Sequence, residues 1–280
     1  MQQAPSTMIA GSNVHYGRYS FRYFVETQAE LGLTQIELWG STPHLWCNHL
    51  GREEGIDEIS RLLYGSRLAV SAFAPRPYGY SLFSEPGSAL REATLSYYRK
   101  CIEIASRLQS RYLCLVPIGD CADTREDALW ARCSNALHEL CKTAKSHGVA
   151  IVIGEASPQE SRLFSRFEAL TRLRRGLSTS GLKFFLDTSR LGTHRENIAQ
   201  WFEKLGEDIA FVRFVDSRWA GPRVWGEGCL PAKRLWLQLS QAGYTGPLVM
   251  HLSGDRYQDD PAAADRRNVQ FLKGLIGEGK

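Results

Sequence analysis

Disulfide, zinc and targeting signatures are missing from this sequence. Its 7 cysteines are odd in number and include no CxxC pair, which argues against both a disulfide framework and a zinc knuckle. The first seven residues lack a basic segment followed by an apolar stretch, and no apolar run approaches the roughly 18 residues of a membrane span. These absences predict reduced thiols, no membrane partner and a cytoplasmic location.

Charge of one sign is also scarce, and so are the common catalytic motifs. The 34 basic and 30 acidic residues are mixed along the chain, and a formal net charge of +4 without a basic patch predicts no nucleic-acid partner. The motifs GxSxG, GxxxxGK[ST], HExxH and GxGxxG do not occur in a convincing context, so serine hydrolases, P-loop enzymes, zincins and dinucleotide enzymes are not supported.

What the sequence does contain is a repeated alternation of short apolar segments with longer amphipathic ones. This is the pattern of strand–helix units and a parallel sheet. The predicted strands are residues 8–14, 34–39, 68–73, 112–116, 149–153, 182–186, 209–215 and 247–251. Helices are predicted between them, for example over residues 89–108 and 128–147. Gly32, Gly148, Gly181 and Gly243 each stand just before a strand, where a left-handed helix cap is expected.

Eight such units in 280 residues predict an α/β fold, a single (β/α)8 TIM barrel that occupies residues 1–280 as one domain. The alternative is an open doubly wound sheet. That fold would call for a glycine-rich phosphate loop after the first strand, and residues 10–13 (AGSN) are a poor match. In a barrel, the residues to consider for chemistry lie at the carboxyl ends of the strands.

Three motifs at these strand ends resemble a known family. They are residues 36–40 (IELWG) followed by Pro43 and His44, residues 211–217 (FVRFVDS), and residues 226–228 (GEG) with Pro231. In this order and spacing they resemble the xylose isomerase-like sugar isomerases and epimerases, and among them the fructoselysine 3-epimerases. The resemblance implies a small-molecule carbohydrate-like ligand and a homo-oligomer. It also implies Mn2+ or another divalent cation, bound by Glu, Asp, His and Glu at the ends of the fifth to eighth strands, with both glutamates acting as acid and base.

This chain departs from that ligand set. The four positions fall on Gly154, Asp187, Arg213 and His251, so only the aspartate is retained. Arginine has no lone pair to offer a cation. Glu155 follows the lost glutamate by one residue and is expected to point away from the barrel axis unless a bulge redirects it. We therefore expect no metal site and no cofactor, with Mn2+ as the disfavoured alternative.

The same residues suggest chemistry without a metal ion. Arg213 is predicted to replace the cation by forming a forked pair with Asp187 or with a substrate oxyanion. His251 and Glu155 are the candidates for proton transfer, and Asp187 is expected to orient Arg213 or His251. Together these four are the predicted catalytic residues.

Further side chains at the predicted mouth are candidates for substrate binding. Arg190 and Arg218 are positioned to meet an anionic group, and Trp39 and His44 are positioned to form a pocket wall. Glu227 is placed either to close the site or to cap a turn. The predicted substrate-binding residues are Glu37, Trp39, His44, Arg190, Arg218 and Glu227.

The leading hypothesis is an isomerase- or epimerase-type barrel that transfers protons without a metal on a polar, possibly anionic, carbohydrate-like substrate. Two alternatives stay open at this point. One is a non-catalytic paralogue that binds a sugar-like ligand. The other is a metal-dependent ketose 3-epimerase whose ligands have moved.

Overall fold

The protein is described by a computed structural model covering residues 8–47, 53–77, 79–177, 181–194, 196–218 and 221–278. Eight parallel strands close into a barrel, which confirms the predicted TIM barrel. The barrel strands are β1 (Ile9–Ser12), β2 (Gln35–Gly40), β5 (Ala69–Pro75), β6 (Tyr112–Leu115), β7 (Ala150–Ile153), β8 (Lys183–Asp187), β9 (Ile209–Arg213) and β12 (Leu248–Val249). Around the barrel they follow the order β1-β12-β9-β8-β7-β6-β5-β2.

Two small antiparallel pairs lie in the loops at the mouth. They are β3 (Trp46–Cys47) with β4 (Glu53–Glu54), and β10 (Asp216–Ser217) with β11 (Pro222–Arg223). The helices are α1 (Phe21–Glu30), α2 (Ile56–Ser66), α3 (Ala89–Arg107), α4 (Glu126–Ser146), α5 (Phe167–Gly176), α6 (Thr188–His194), α7 (Ile198–Leu205), α8 (Ala232–Gln241) and α9 (Pro261–Glu278). Among the described residues, none of these helices combines the length and the apolarity that a membrane span requires.

Four glycines allow the chain to turn from helix to strand. Gly32, Gly148, Gly181 and Gly243 have φ values of 71°, 70°, 74° and 71°, the left-handed region that a side chain disfavours. Each stands just ahead of a barrel strand, as the sequence predicts. These turns set the start of each strand and therefore which residues reach the opposite, carboxyl end.

The barrel interior changes from apolar to charged toward the carboxyl ends of the strands. Alternate strand side chains point inward, and Phe185 and Phe211 stack there with ring centroids 5.1 Å apart and planes 4° apart. Two residues further along the same strands, Asp187 and Arg213 occupy the next inward positions and pair as neighbours in the sheet. The charged layer at the mouth therefore rests on an aromatic floor.

A buried polar network attaches α9 to the start of the barrel. The Asp265 carboxylate, with no exposed surface, accepts hydrogen bonds from Tyr16 Oη at 2.7 Å and Gln28 Nε2 at 2.7 Å, and lies 3.0 Å from His15 Nε2. Three polar side chains thus depend on one carboxylate in a place that water does not reach. These hydrogen bonds fix α9 against α1 and against the turn of residues 14–16 that follows β1.

We predict that Asp265→Ala lowers the unfolding free energy by about 3 kcal/mol, because three buried groups lose their shared acceptor. Thermal unfolding followed by tryptophan fluorescence measures the effect. The matched control is Asp259→Ala on the same face, since Asp259 forms an exposed ion pair with Arg18 and its loss is expected to leave the midpoint unchanged. Equal midpoints for the two variants would show that the Asp265 network does not stabilise the fold.

Candidate active site

A buried carboxylate, Glu37, lies at the centre of the barrel mouth. Its Oε1 accepts hydrogen bonds from Arg213 Nε at 3.0 Å and Arg213 Nη2 at 2.5 Å, and its Oε2 lies 2.5 Å from His251 Nδ1. Ser12 Oγ donates to Oε2 at 3.4 Å from the neighbouring strand. We call Glu37, Arg213 and His251 the Glu37 triad. The sequence favours Asp187 as the partner of Arg213 or His251, whereas in the structure Glu37 takes that place.

The charges of the triad are strongly constrained. Burial by itself raises the pKa of Glu37, but Arg213 and His251 outweigh it and lower that pKa to about 2. Burial likewise acts to lower the pKa of Arg213, and Glu37 reverses this so that the net shift is upward. Glu37 and Arg213 therefore form a permanent ion pair. Because His251 Nδ1 faces the Glu37 carboxylate, Nδ1 carries a hydrogen, and Nε2 is the ring nitrogen that Glu37 does not use.

Space at the mouth is limited by an aromatic ring. The guanidinium carbon of Arg213 lies 4.4 Å from the ring centroid of Phe185. A Cβ placed on Gly154 would overlap the Cζ end of the same ring. A side chain at position 154 is therefore excluded as long as Phe185 keeps this position.

The side chains at the barrel mouth can now be compared with those that a divalent cation requires. At the four positions where the family resemblance implies ligands, Gly154 has no room for a side chain and Arg213 is a cation bound to Glu37. His251 has committed Nδ1 to Glu37, which leaves Asp187 and one ring nitrogen as donors. Within the described part of the chain, no group of three or more His, Cys, Asp or Glu residues converges. The residues present do not fit the metal site that the resemblance implies.

The Asp187 carboxylate is hydrogen bonded to the first turn of the next helix. Its Oδ1 accepts hydrogen bonds from Ser189 N at 2.9 Å and Ser189 Oγ at 2.6 Å, at the start of α6. A carboxylate at this end of a helix meets unpaired amides and the positive end of the helix dipole. Asp187 therefore combines a local capping role with a place on the cavity wall.

Glu155 faces the cavity, although the alternation of β7 predicts that it points away. The strand ends at Ile153, so the alternation no longer applies two residues later. Glu155 is 5% exposed, and neither of its oxygens meets an N–H or O–H donor among the described residues. Burial and the nearby Glu196 and Asp187 raise its pKa to about 9, against the opposing effect of Arg190. At neutral pH, Glu155 is thus a protonated carboxylic acid.

A cavity of about 180 Å³ brings most of the predicted site residues together. Trp39 forms one wall and meets the His251 ring edge-on, with centroids 5.8 Å apart and planes at 82°. The polar residues that line the cavity are Glu155, Glu160, Asp187, Arg190, Arg213 and His251. All four predicted catalytic residues and two of the predicted substrate-binding residues, Trp39 and Arg190, therefore share one cavity.

His44 lies outside this cavity, and both of its ring nitrogens are used by the protein. Nδ1 lies 2.8 Å from Asn13 Nδ2 and Nε2 lies 2.8 Å from the Tyr19 carbonyl oxygen, so Nε2 donates and Nδ1 accepts. Burial lowers the pKa of His44, which favours this neutral form. Asn13 also bonds the backbone of Trp39, so His44 supports the pocket wall from behind.

The two predicted residues of the seventh loop also lie outside the cavity lining. Glu227 accepts a hydrogen bond from Tyr257 Oη at 2.6 Å and pairs with Arg256 and Arg267. Arg218 is exposed. The structure thus places Glu227 in a contact between this loop and α9, and Glu37 beneath the cavity as the partner of Arg213.

Comparison with known proteins agrees with the barrel fold. A profile of the family described as xylose isomerase-like TIM barrel matches residues 25–275. The chain belongs to this xylose isomerase-like family. It is 24% identical to a fructoselysine 3-epimerase of Shigella flexneri over 253 residues, which is 89% of this chain and 91% of that protein. A fructoselysine 3-epimerase of Escherichia coli O157:H7 is 23% identical over the same shares of the two chains.

Solved structures of sugar epimerases share the fold. A 3-keto-D-glucoside 4-epimerase from E. coli superposes with a TM-score of 0.79 at 16% identity, over 96% of this chain and 99% of that one. A D-allulose 3-epimerase from Methylomonas sp. in complex with D-allulose superposes with a TM-score of 0.77 at 14% identity, over 98% and 100% of the two chains. The chain is thus a sugar epimerase- or isomerase-like TIM barrel.

We predict that Gly154→Ala lowers stability by about 1–3 kcal/mol, because the new methyl group overlaps the buried Phe185 ring. Thermal unfolding measures the loss. Gly17→Ala is the matched control, since a Cβ there meets nothing and its φ of −60° suits alanine. In a Phe185→Leu background, Gly154→Ala is expected to lower stability by less than it does in the wild-type background. An equal loss of stability in both backgrounds would mean that a contact other than Phe185 restricts the space at position 154.

We also predict that Glu155→Gln makes stability less dependent on pH. Glu155 has a pKa of 4.5 when unfolded and about 9 when folded, so between these values the folded state binds more protons than the unfolded state. The contribution of Glu155 to stability therefore falls as pH rises through this window. The melting temperature of the variant relative to wild type should increase from about pH 5 to about pH 9, whereas the exposed control Glu168→Gln should track wild type.

Proposed function

We propose that the protein is an isomerase or epimerase of a carbohydrate derivative in which side chains replace the divalent cation of the reacting centre. The observation that carries the proposal is the Glu37 triad, which fills the mouth with a fixed ion pair and leaves one free imidazole nitrogen facing the cavity. This arrangement suits proton transfer next to a carbonyl group, the chemistry that isomerases and epimerases of sugars share.

Each cavity residue then has a distinct task. Nε2 of His251 accepts the proton from the carbon beside the carbonyl group, and Glu37 stabilises the imidazolium that forms. The N–H groups of Arg213 that Glu37 does not use donate to the oxyanion. Glu155, which holds a proton at neutral pH, returns one to carbon or oxygen. One proton leaves the substrate and one enters it, and no electron donor or acceptor is needed.

The charge balance bears on the substrate. Because Glu37 neutralises Arg213, Arg213 offers the substrate directed hydrogen bonds more than a surplus of positive charge. Arg190 is the cavity residue placed to meet an acidic group, and Trp39 offers an aromatic face to a sugar ring. We therefore propose a polar carbohydrate derivative, with a single carboxylate as the acidic form that Arg190 would accept. The homo-oligomer and the cytoplasmic location stay predictions.

The proposal is tested by metal analysis combined with ligand screening. Purified protein is analysed for bound metal, and its melting temperature is measured with Mn2+, neutral ketoses, sugar phosphates and sugar acids, because a ligand that binds the folded state raises it. Compounds that stabilise the protein are then incubated in D2O with excess chelator, and deuterium in the C–H positions is measured. We expect uptake that survives the chelator and falls about 100-fold in His251→Gln. The exposed control His138→Gln should retain it.

Other outcomes point to the alternatives. Stabilisation by a sugar without any deuterium uptake would identify a non-catalytic binding protein. Uptake that requires added Mn2+ and disappears with chelator would identify a metal-dependent epimerase with relocated ligands. Uptake that is equal in His251→Gln and wild type would remove His251 from the mechanism.

A further inference from the structure

The cavity at the barrel mouth has two chemically different halves. All six charged or ionisable lining residues named above lie on or just after β7, β8, β9 and β12. The strands β2, β5 and β6, with the loops that follow them, contribute mainly apolar side chains, among them Trp39, Ala74, Pro75, Cys114, Val116 and Ile118. Each of these two groups of strands is contiguous in the barrel order. The cavity is therefore divided in space into a polar half and an apolar half.

The apolar half offers a ligand few hydrogen-bonding partners. Pro75 and Pro77 have no backbone N–H, and the Cys114 thiol is buried and only a weak donor. Tyr98, from α3, brings a hydroxyl group to this half. Among the described lining residues of the apolar half, no side chain carries a charge. A hydroxyl group of a ligand placed against this half loses its hydrogen bonds to water and gains little in exchange.

The polar half has the opposite requirement. Glu155 is buried, and neither of its oxygens meets an N–H or O–H donor among the described residues. Buried polar groups are normally hydrogen bonded, so a ligand that places a hydroxyl group beside Glu155 supplies a partner that the protein does not. Arg190 and His251 line the same half and add further polar groups. The oxygen atoms of a ligand are thus favoured on this side of the cavity.

The size of the cavity brings a ligand into contact with both halves. Its volume is about 180 Å³. For comparison, a cavity of about 150 Å³ in a protein interior holds benzene. A single compound with a five- or six-carbon chain therefore fills the space and cannot keep all of its atoms on the polar side.

We propose that the substrate is a deoxy sugar derivative, whose end without a hydroxyl group packs against the apolar half. The inference rests on the proposed carbohydrate ligand of this cavity and names its class. The carbonyl group and the hydroxyl groups next to it lie at the Glu37 triad and Glu155. The methyl or methylene group at the far end of the carbon chain lies against Val116 and Ile118. A fully hydroxylated sugar would have to desolvate its terminal hydroxyl group against this wall.

The binding of matched sugars tests the proposal without turnover. Dissociation constants are measured by isothermal titration calorimetry for D-fructose and D-tagatose, for the 6-deoxy and 1-deoxy forms of each, and for D-gluconate and 6-deoxy-D-gluconate. In at least one series the 6-deoxy compound is expected to bind about 10-fold more tightly than its parent, because a methyl group replaces a hydroxyl group that the apolar half leaves without a partner. The 1-deoxy ketoses carry the methyl group beside the carbonyl group and should bind no more tightly than their parents.

A substitution in the wall tests whether the apolar half causes this preference. Val116→Thr introduces a hydroxyl group with little change in side-chain volume, and we expect it to bring the two dissociation constants close to each other. Val14→Thr is the matched control, since Val14 is also partly exposed but lies outside the described cavity lining, and it should keep the wild-type preference. A preference of equal size in Val116→Thr and wild type would overturn the proposal. So would equal or weaker binding of every 6-deoxy compound, or no binding of any of them.

These outcomes are separate from those of the proposed function. The preference for a 6-deoxy compound can hold when no compound takes up deuterium. Conversely, deuterium uptake into a fully hydroxylated ketose that binds as tightly as its 6-deoxy form would remove this inference and leave the proposed function in place.

Discussion

A carboxylate without access to solvent lies at the centre of this barrel, and the rest of the site is arranged to compensate its charge. Glu37 is 0% exposed and still ionised, because Arg213 at the end of β9 and His251 just after β12 both reach it. Removing one partner of such a pair typically costs about 3–5 kcal/mol, since the remaining charge stays buried. The triad therefore ties β2, β9 and β12 together at the mouth. It also fixes the orientation of the one imidazole that faces the cavity.

Because of the Glu37 carboxylate, the positions at which this chain departs from the ligand set of the family depend on one another. Arg213 needs a buried anion, and it also needs a surface on which its guanidinium plane can rest, which Phe185 supplies. The Phe185 ring then requires that position 154 carry no side chain, and glycine is what the sequence has there. These contacts link four residues whose identities depend on one another: Gly154, Phe185, Arg213 and Glu37. Restoring a glutamate at position 154 alone would place it against an aromatic ring and beside a cation already paired with another carboxylate.

Much of this architecture follows from the sequence, and the exceptions have physical causes. The alternation of apolar segments with amphipathic ones, with glycine before four of the strands, predicts the barrel, and the family resemblance predicts that Asp187, Arg213 and His251 lie at its mouth. The ion pair between Glu37 and Arg213 cannot be predicted from the strand pattern, because the two residues are 176 positions apart in the sequence. Several other carboxylates of the chain could pair with an arginine equally well. Strand alternation predicts that Glu155 points away from the barrel axis, but β7 ends at Ile153, before this residue.

Two glutamates of the same site are held in opposite charge states by their surroundings. Hydrogen-bond donors and a guanidinium keep Glu37 ionised, whereas burial beside other carboxylates keeps Glu155 protonated. β7 and β12, which lead to Glu155 and His251, are separated by β8 and β9 in the barrel order, so these two side chains reach the cavity from different sides. In the proposed function, this arrangement separates the proton donor from the proton acceptor, and the pairing of Arg213 with Glu37 keeps the net charge of the site small. An uncharged or singly acidic sugar derivative suits such a cavity better than a multiply charged one does, since each further anionic charge would have to be desolvated beside Asp187 without a cation of its own.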